Sequence, residues 1–93
     1  MIRTIINDIN DIIDAQAETD ATALIVKLDA EIKYYLNQAF LDDKLFDYKV
    51  NFSNTPVGFL LDVDVQLSSS SMYDSLTWDL DVTRTSAADE AYK

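Results

Sequence analysis

The sequence contains no cysteine and no histidine, and it holds one glycine and one proline in 93 residues. Without cysteine there is no disulfide and no thiolate metal site, which fits a reducing compartment or an assembly that needs no covalent staple. Without histidine, the commonest general base and the commonest metal ligand are missing. Ser-His and Cys-His nucleophilic catalysis is therefore excluded within this chain. A single glycine cannot build a glycine-rich phosphate loop. No apolar run approaches the ~20 residues that span a bilayer. The N-terminus has no basic region leading into an apolar run, so no signal peptide is expected. Positive charge is also scarce: seven Lys and Arg stand against 17 Asp and Glu, for a formal net charge of −10. Such a chain repels nucleic acid and anionic lipid and attracts basic protein surfaces or cations. These absences together point to a protein that is not an enzyme and carries neither cofactor nor metal.

What is present is a repeated alternation in the second half of the chain. Phe46, Tyr48, Val50 and Phe52 alternate with Asp47, Lys49, Asn51 and Ser53. Phe59, Leu61, Val63, Val65 and Leu67 alternate with Leu60, Asp62, Asp64 and Gln66. Leu76, Trp78, Leu80 and Val82 alternate with Thr77, Asp79, Asp81 and Thr83. A period of two puts one side chain on each face in turn, so each stretch predicts a half-buried strand. The strands are expected at about 45–53, 57–67 and 75–84. Ser53-Asn54-Thr55-Pro56 reads as the first turn and Ser68 to Ser71 as the second loop. Connections this short favour an antiparallel meander.

The first 41 residues contain neither glycine nor proline. Ile2, Ile5, Ile6, Ile9, Ile12 and Ile13 recur at helical spacing, with Asn and Asp opposite. The stripe fades at Gln16 to Thr19, where Thr19, Asp20 and Thr22 are candidate N-caps. A second stripe follows through Ala21, Ile25, Leu28, Ile32, Tyr35 and Ala39, widened by Leu24, Leu36 and Phe40. Two helices are expected rather than one long bent helix. They must cover the apolar face of the sheet, which predicts an α+β two-layer sandwich in the order α-α-β-β-β. The length suits one domain, placed at residues 1–85, with 86–93 as a flexible tail.

The residues most apt for interaction lie on two surfaces. Asp47, Asp62, Asp64, Asp79 and Asp81 fall on the polar parity of the strands, although Asp is a poor residue for strand interiors. The pairs Asp62/Asp64 and Asp79/Asp81 come from neighbouring strands, and like charges directly opposite would cost roughly 0.2–1 kcal/mol each. Lys49, Arg84, a cation or a basic partner could offset that cost. The second surface is the stripe Ile2, Ile5, Ile9 and Ile12, which is too apolar for a free surface helix. Trp78 falls on the inner parity, and Tyr34, Tyr73 and Tyr92 are aromatics able to anchor an interface. A sheet of three strands also has two edges open to pairing with another chain.

The stretch from about Leu28 to Thr85 resembles the C-terminal domain of the contractile-tail sheath proteins of tailed bacteriophages. The likeness lies in a helix leading through a polar link into Leu45-Phe46-Asp47-Tyr48-Lys49-Val50. Next come a turn and Gly58-Phe59-Leu60-Leu61-Asp62-Val63-Asp64-Val65, then a loop and Leu76-Thr77-Trp78-Asp79-Leu80-Asp81-Val82. Small sheath initiators of the baseplate are similar in the same element order. The likeness is one of order and alternation, without an invariant motif. Ser68 to Ser71 stand where the family has proline, and the Glu-Pro-Arg signature of the initiators has no counterpart here. The resemblance implies subunit-to-subunit packing, in which an arm of one subunit adds a strand to its neighbour's sheet. With the acidic charge of the chain, this makes other subunits with basic surfaces the expected partners and a virion or the host cytoplasm the expected location. Size and acidity also suit an alternative, a nucleic-acid-mimicking inhibitor of a basic host enzyme.

Overall fold

The computed structural model describes residues 1–18 and 20–81. Two helices, α1 (Ile2–Asp14) and α2 (Ala21–Leu41), precede three strands, β1 (Leu45–Thr55), β2 (Gly58–Leu67) and β3 (Tyr73–Leu80). The strands form one antiparallel meander in the order β1-β2-β3. The fold is therefore α+β, with the expected element order. Thr19, Val82, Thr83, Arg84, Thr85, Tyr92 and the segment 86–93 lie outside the described residues, as does the expected end of the third strand.

The central strand shows most plainly why this sequence folds this way. Phe59, Leu61, Val63 and Val65 are all fully buried, and their neighbours Leu60, Asp62, Asp64 and Gln66 are half-exposed on the other face. The helices lie on the apolar face. From α2 come Leu24, Leu28, Ile32, Leu36 and Ala39, spaced by four and then three residues, which is one stripe of a 3.6-residue helix. Each large side chain buried this way contributes roughly 1.5–3 kcal/mol relative to an exposed one. From α1 come Ile5 and Ile9, both fully buried. Asn10 accepts a 2.6 Å hydrogen bond from the Trp78 indole N–H, which ties α1 to β3. Asp8 accepts one of 2.6 Å from the Tyr35 hydroxyl, which ties α1 to α2. Of the candidate caps, Asp20 takes the role: its carboxylate accepts from the Ala23 N–H at 2.9 Å.

Two expectations need correction. Phe46 is not on the inner face; it is 67% exposed, and Leu45 is the buried residue at 2%. The cause is a bulge: Leu45 pairs with Leu67 but Asp47 pairs with Gln66, so β1 holds one extra residue. A bulge breaks the strict alternation that parity assumes. The first turn also lies later than expected. β1 continues through Asn54 and Thr55, and Thr55 pairs directly with Gly58. Pro56 and Val57 alone make the turn, and neither has a positive φ. This is not one of the primed turns that two-residue hairpins prefer.

The exit from α2 is unusual. The Lys44 N–H donates to the Ala39 carbonyl at 2.9 Å and the Asp43 N–H to the Phe40 carbonyl at 3.1 Å. These are the two bonds of a Schellman cap, whose left-handed position normally takes glycine. Here Asp43 holds it, at φ 61°. The aspartate also places negative charge at the C-terminal end of a helix, where the dipole disfavours it. Asp43→Gly is therefore expected to stabilise the fold by ~0.5–1 kcal/mol, and Asp43→Ala to destabilise it by a similar amount. Thermal melts should shift about 2–8 °C upward for the glycine variant. A melting temperature that falls on Asp43→Gly would show that the cap is not maintained in solution.

Candidate functional site

The outer face of the sheet carries the acidic side chains, and strand register decides how they meet. Asp62 lies between Asn51 on β1 and Thr77 on β3, and Asp64 between Lys49 and Ser75. Asp79 lies opposite Leu60. The two aspartate pairs are thus offset along the strands, so no aspartate of one pair faces one of the other across the β2–β3 ladder. Register thus removes the expected direct like-charge opposition. Thr77 donates its hydroxyl to Asp62 at 2.8 Å, and Lys49 is the basic neighbour of Asp64. Asp81 follows the end of β3 and is half-exposed.

Asp47 sits at the bulge and accepts a hydrogen bond from the Tyr73 hydroxyl. That bond, then the Tyr48 backbone N–H and the charge of Lys49, hold the Asp47 carboxyl below the ordinary carboxylate range. The same bond raises the Tyr73 hydroxyl above its ordinary value, with the charges of Asp47 and Asp64 adding to it. The Lys49 ammonium stands 5.3 Å from the centre of the Tyr73 ring, within cation–π range. Asp47, Lys49, Asp64 and Tyr73 form one exposed network across all three strands. On the helical layer, burial raises the Tyr35 hydroxyl well above its ordinary range, and its bond to Asp8 acts in the same direction. Next to it lies an open groove of about 380 Å³ lined by Ile12, Ala30, Glu31, Tyr34, Tyr35 and Gln38.

The isoleucine stripe is divided. Ile5 and Ile9 are committed to the protein's own core, whereas Ile2 and Ile12 are half-buried at its border. The sheet edges differ more than the sequence suggests. β1 carries Lys49 in mid-strand and the bulge near its start, both of which discourage strand pairing. β3 runs Tyr73-Asp-Ser-Leu-Thr-Trp-Asp-Leu80 with no proline, lysine or bulge, and among the described residues one side of its backbone faces no other strand. Its inward side chains Leu76, Trp78 and Leu80 stay half-exposed, unlike their fully buried neighbours on β2.

Sequence reading missed one group of residues. Phe40, Leu41, Phe46 and Met72 are 44%, 64%, 67% and 73% exposed, and all belong to the end of the fold where α2 passes into β1 and the loop enters β3. By periodicity Phe40 and Phe46 belong to inward stripes, and the structure places both outside the core. Their one sequence signal is crowding: Ala39-Phe40-Leu41 and Leu45-Phe46 are consecutive apolar residues, and neither a helix nor a strand can turn all of them inward.

Among the described residues, no group of three or more acidic side chains is arranged to hold a metal ion. No helix among the described residues is long and apolar enough to cross a membrane. Comparison with protein-family models, with curated proteins and with solved structures finds no match to this chain.

Proposed function

We propose that this protein is a non-enzymatic assembly subunit, and that a neighbouring chain adds a strand to its sheet at the β3 edge. The observation that carries the reading is the state of β3. Its edge carries no proline, lysine or bulge, its charges are limited to Asp74 and Asp79, and its apolar inner row is only partly covered by the described residues. Strand addition supplies main-chain hydrogen bonds and needs no side-chain motif, so it suits a sequence without one. An added strand would also cover Leu76, Trp78 and Leu80. The resemblance in element order to contractile-tail sheath and sheath-initiator proteins supports a place in a phage tail or a similar multi-subunit particle. The aspartates of the outer face would meet lysine or arginine on neighbouring subunits.

Hydrogen exchange tests this in the protein alone and in its native particle. Amides of residues 74–80 that point away from β2 should exchange fast in the free protein and become protected in the particle. Protection unchanged by assembly would reject strand addition at this edge. Charge reversal by Asp62→Lys with Asp64→Lys should weaken assembly at low salt, and the wild-type association should weaken as salt rises. Assembly indifferent to both would leave the acidic face as a solubilising surface. The second reading is an inhibitor that presents these carboxylates to a basic groove. The exposure of Asp79 and the half-exposure of Asp62 and Asp64 on one open face favour it. It predicts a discrete complex of fixed stoichiometry with a basic enzyme and no incorporation into a particle.

A further inference from the structure

The end of the fold where α2 meets β1 is apolar at its tip and acidic beside it. Phe40 and Leu41 close the helix, Phe46 stands out on the bulge, and Met72 precedes β3. Backbone bonds tie these segments together: the Lys44 N–H donates to the Ala39 carbonyl, and the Lys44 carbonyl accepts from the Ser68 N–H at 3.1 Å. None of the four side chains belongs to the buried core. Single exposed apolar residues are ordinary, but a group of large ones at one end marks a contact surface. Asp42 and Asp43 stand beside them with Lys44 as the one basic neighbour in the turn. Both aspartates oppose the helix dipole, and Asp43 occupies a left-handed position where glycine would be easier. The fold gives up stability twice to keep negative charge at this point.

We propose that this α2–β1 end is a docking site for a segment of a basic partner protein. That segment would set apolar side chains against Phe40, Leu41, Phe46 and Met72, and lysine or arginine against Asp42 and Asp43. A second copy of the chain is the wrong occupant, because it would present the same acidic end and a net charge of −10 rather than the lysine or arginine that Asp42 and Asp43 call for. The site uses side chains at the end of the fold rather than the backbone of β3, so it stands or falls separately from strand addition.

The test uses the full chain and a labelled amphipathic helical peptide with one leucine face and one lysine face. A leucine/glutamate peptide of the same pattern serves as control. The leucine/lysine peptide should bind saturably, the control should not, and amide shifts of residues 40–47 and Met72 should move most. Phe46→Ser with Met72→Ser should weaken binding about tenfold or more while leaving the thermal melt unchanged, since both residues are exposed. Asp42→Asn with Asp43→Asn should weaken it comparably. Asp62→Asn with Asp64→Asn removes the same charge elsewhere and should change it by less than about threefold. No binding, equal weakening by the two charge-removing pairs, or shifts centred on the outer sheet face would overturn the proposal. Dimerisation of the chain alone that Phe46→Ser abolishes would assign the site to a second copy and overturn it too.

Discussion

Phe59→Ala should destabilise the protein by ~3–5 kcal/mol, the largest effect of any single side-chain truncation on the sheet. Phe59 is fully buried on the central strand. Its ring meets that of Phe52 edge-to-face, with centroids 5.7 Å apart and planes at 60°. Truncation removes the transfer free energy of the ring, leaves a cavity that β-sheet backbones on both sides cannot close, and deletes an aromatic pair worth about 0.5–1.5 kcal/mol. A domain this small holds only about 5–10 kcal/mol in total, so the variant should be partly unfolded at 37 °C. Urea titration gives the measurement: with a slope near 1–2 kcal/mol/M, the midpoint should fall by about 1.5 M or more. Phe46→Ala is the control. Both residues are phenylalanines read from sequence as inward, but the exposed Phe46 ring should cost less than about 0.5 kcal/mol. Equal losses from the two would return Phe46 to the core and remove the bulge.

That contrast shows where sequence patterning holds and where it fails. The strands and helices were legible because burial on one face forces a period, of two in Phe59-Leu61-Val63-Val65 and of about 3.6 in Leu28-Ile32-Leu36-Ala39. Both periods survive in the fold because nothing interrupts them. Phe46 departs from its parity because a bulge moves a residue out of the alternation without changing the composition of the strand. The first turn was placed two residues early because Asn54 and Thr55, ordinary turn residues, are held in the ladder opposite Phe59 and Gly58. The acidic residues themselves could be read from parity, but their stagger could not. Register depends on turn length and bulges, and a shift of two residues leaves every face assignment intact while changing which carboxylates meet. The exposed end that carries Phe40, Leu41, Phe46 and Met72 is hidden in the sequence for the same reason: each segment has its own period, and only the tertiary arrangement places the leftovers at one end of the fold.

Gly58→Ala should cost about 2–4 kcal/mol, because the new methyl meets backbone and a β3 hydrogen bond must be given up. A Cβ on Gly58 would lie 1.9 Å from the Leu80 carbonyl oxygen, 2.9 Å from the Leu80 carbonyl carbon and 3.0 Å from the Asp81 Cα. All three are main-chain atoms, so no flexible side chain can yield. Gly58 has no positive φ, so the residue is not there to relieve a strained backbone. By propensity alone, alanine would stabilise a strand position relative to glycine by roughly 0.5–1 kcal/mol. The sign of the result is therefore decisive. Stabilisation would mean that the end of β3 does not pass over Gly58. Destabilisation, with lost exchange protection at residues 78–80 and retained protection in the β1–β2 hairpin, would mean that it does. The Phe59–Leu80 pairing is the step next to the clash, so β3 should part from β2 from its C-terminal end while the Gln66–Tyr73 end holds. The same variant then locates the open edge used in assembly. A neighbour that pairs with β3 should lose affinity in Gly58→Ala protein, whereas one that pairs with β1 should bind the variant as it binds the wild type at temperatures where β1 and β2 remain folded.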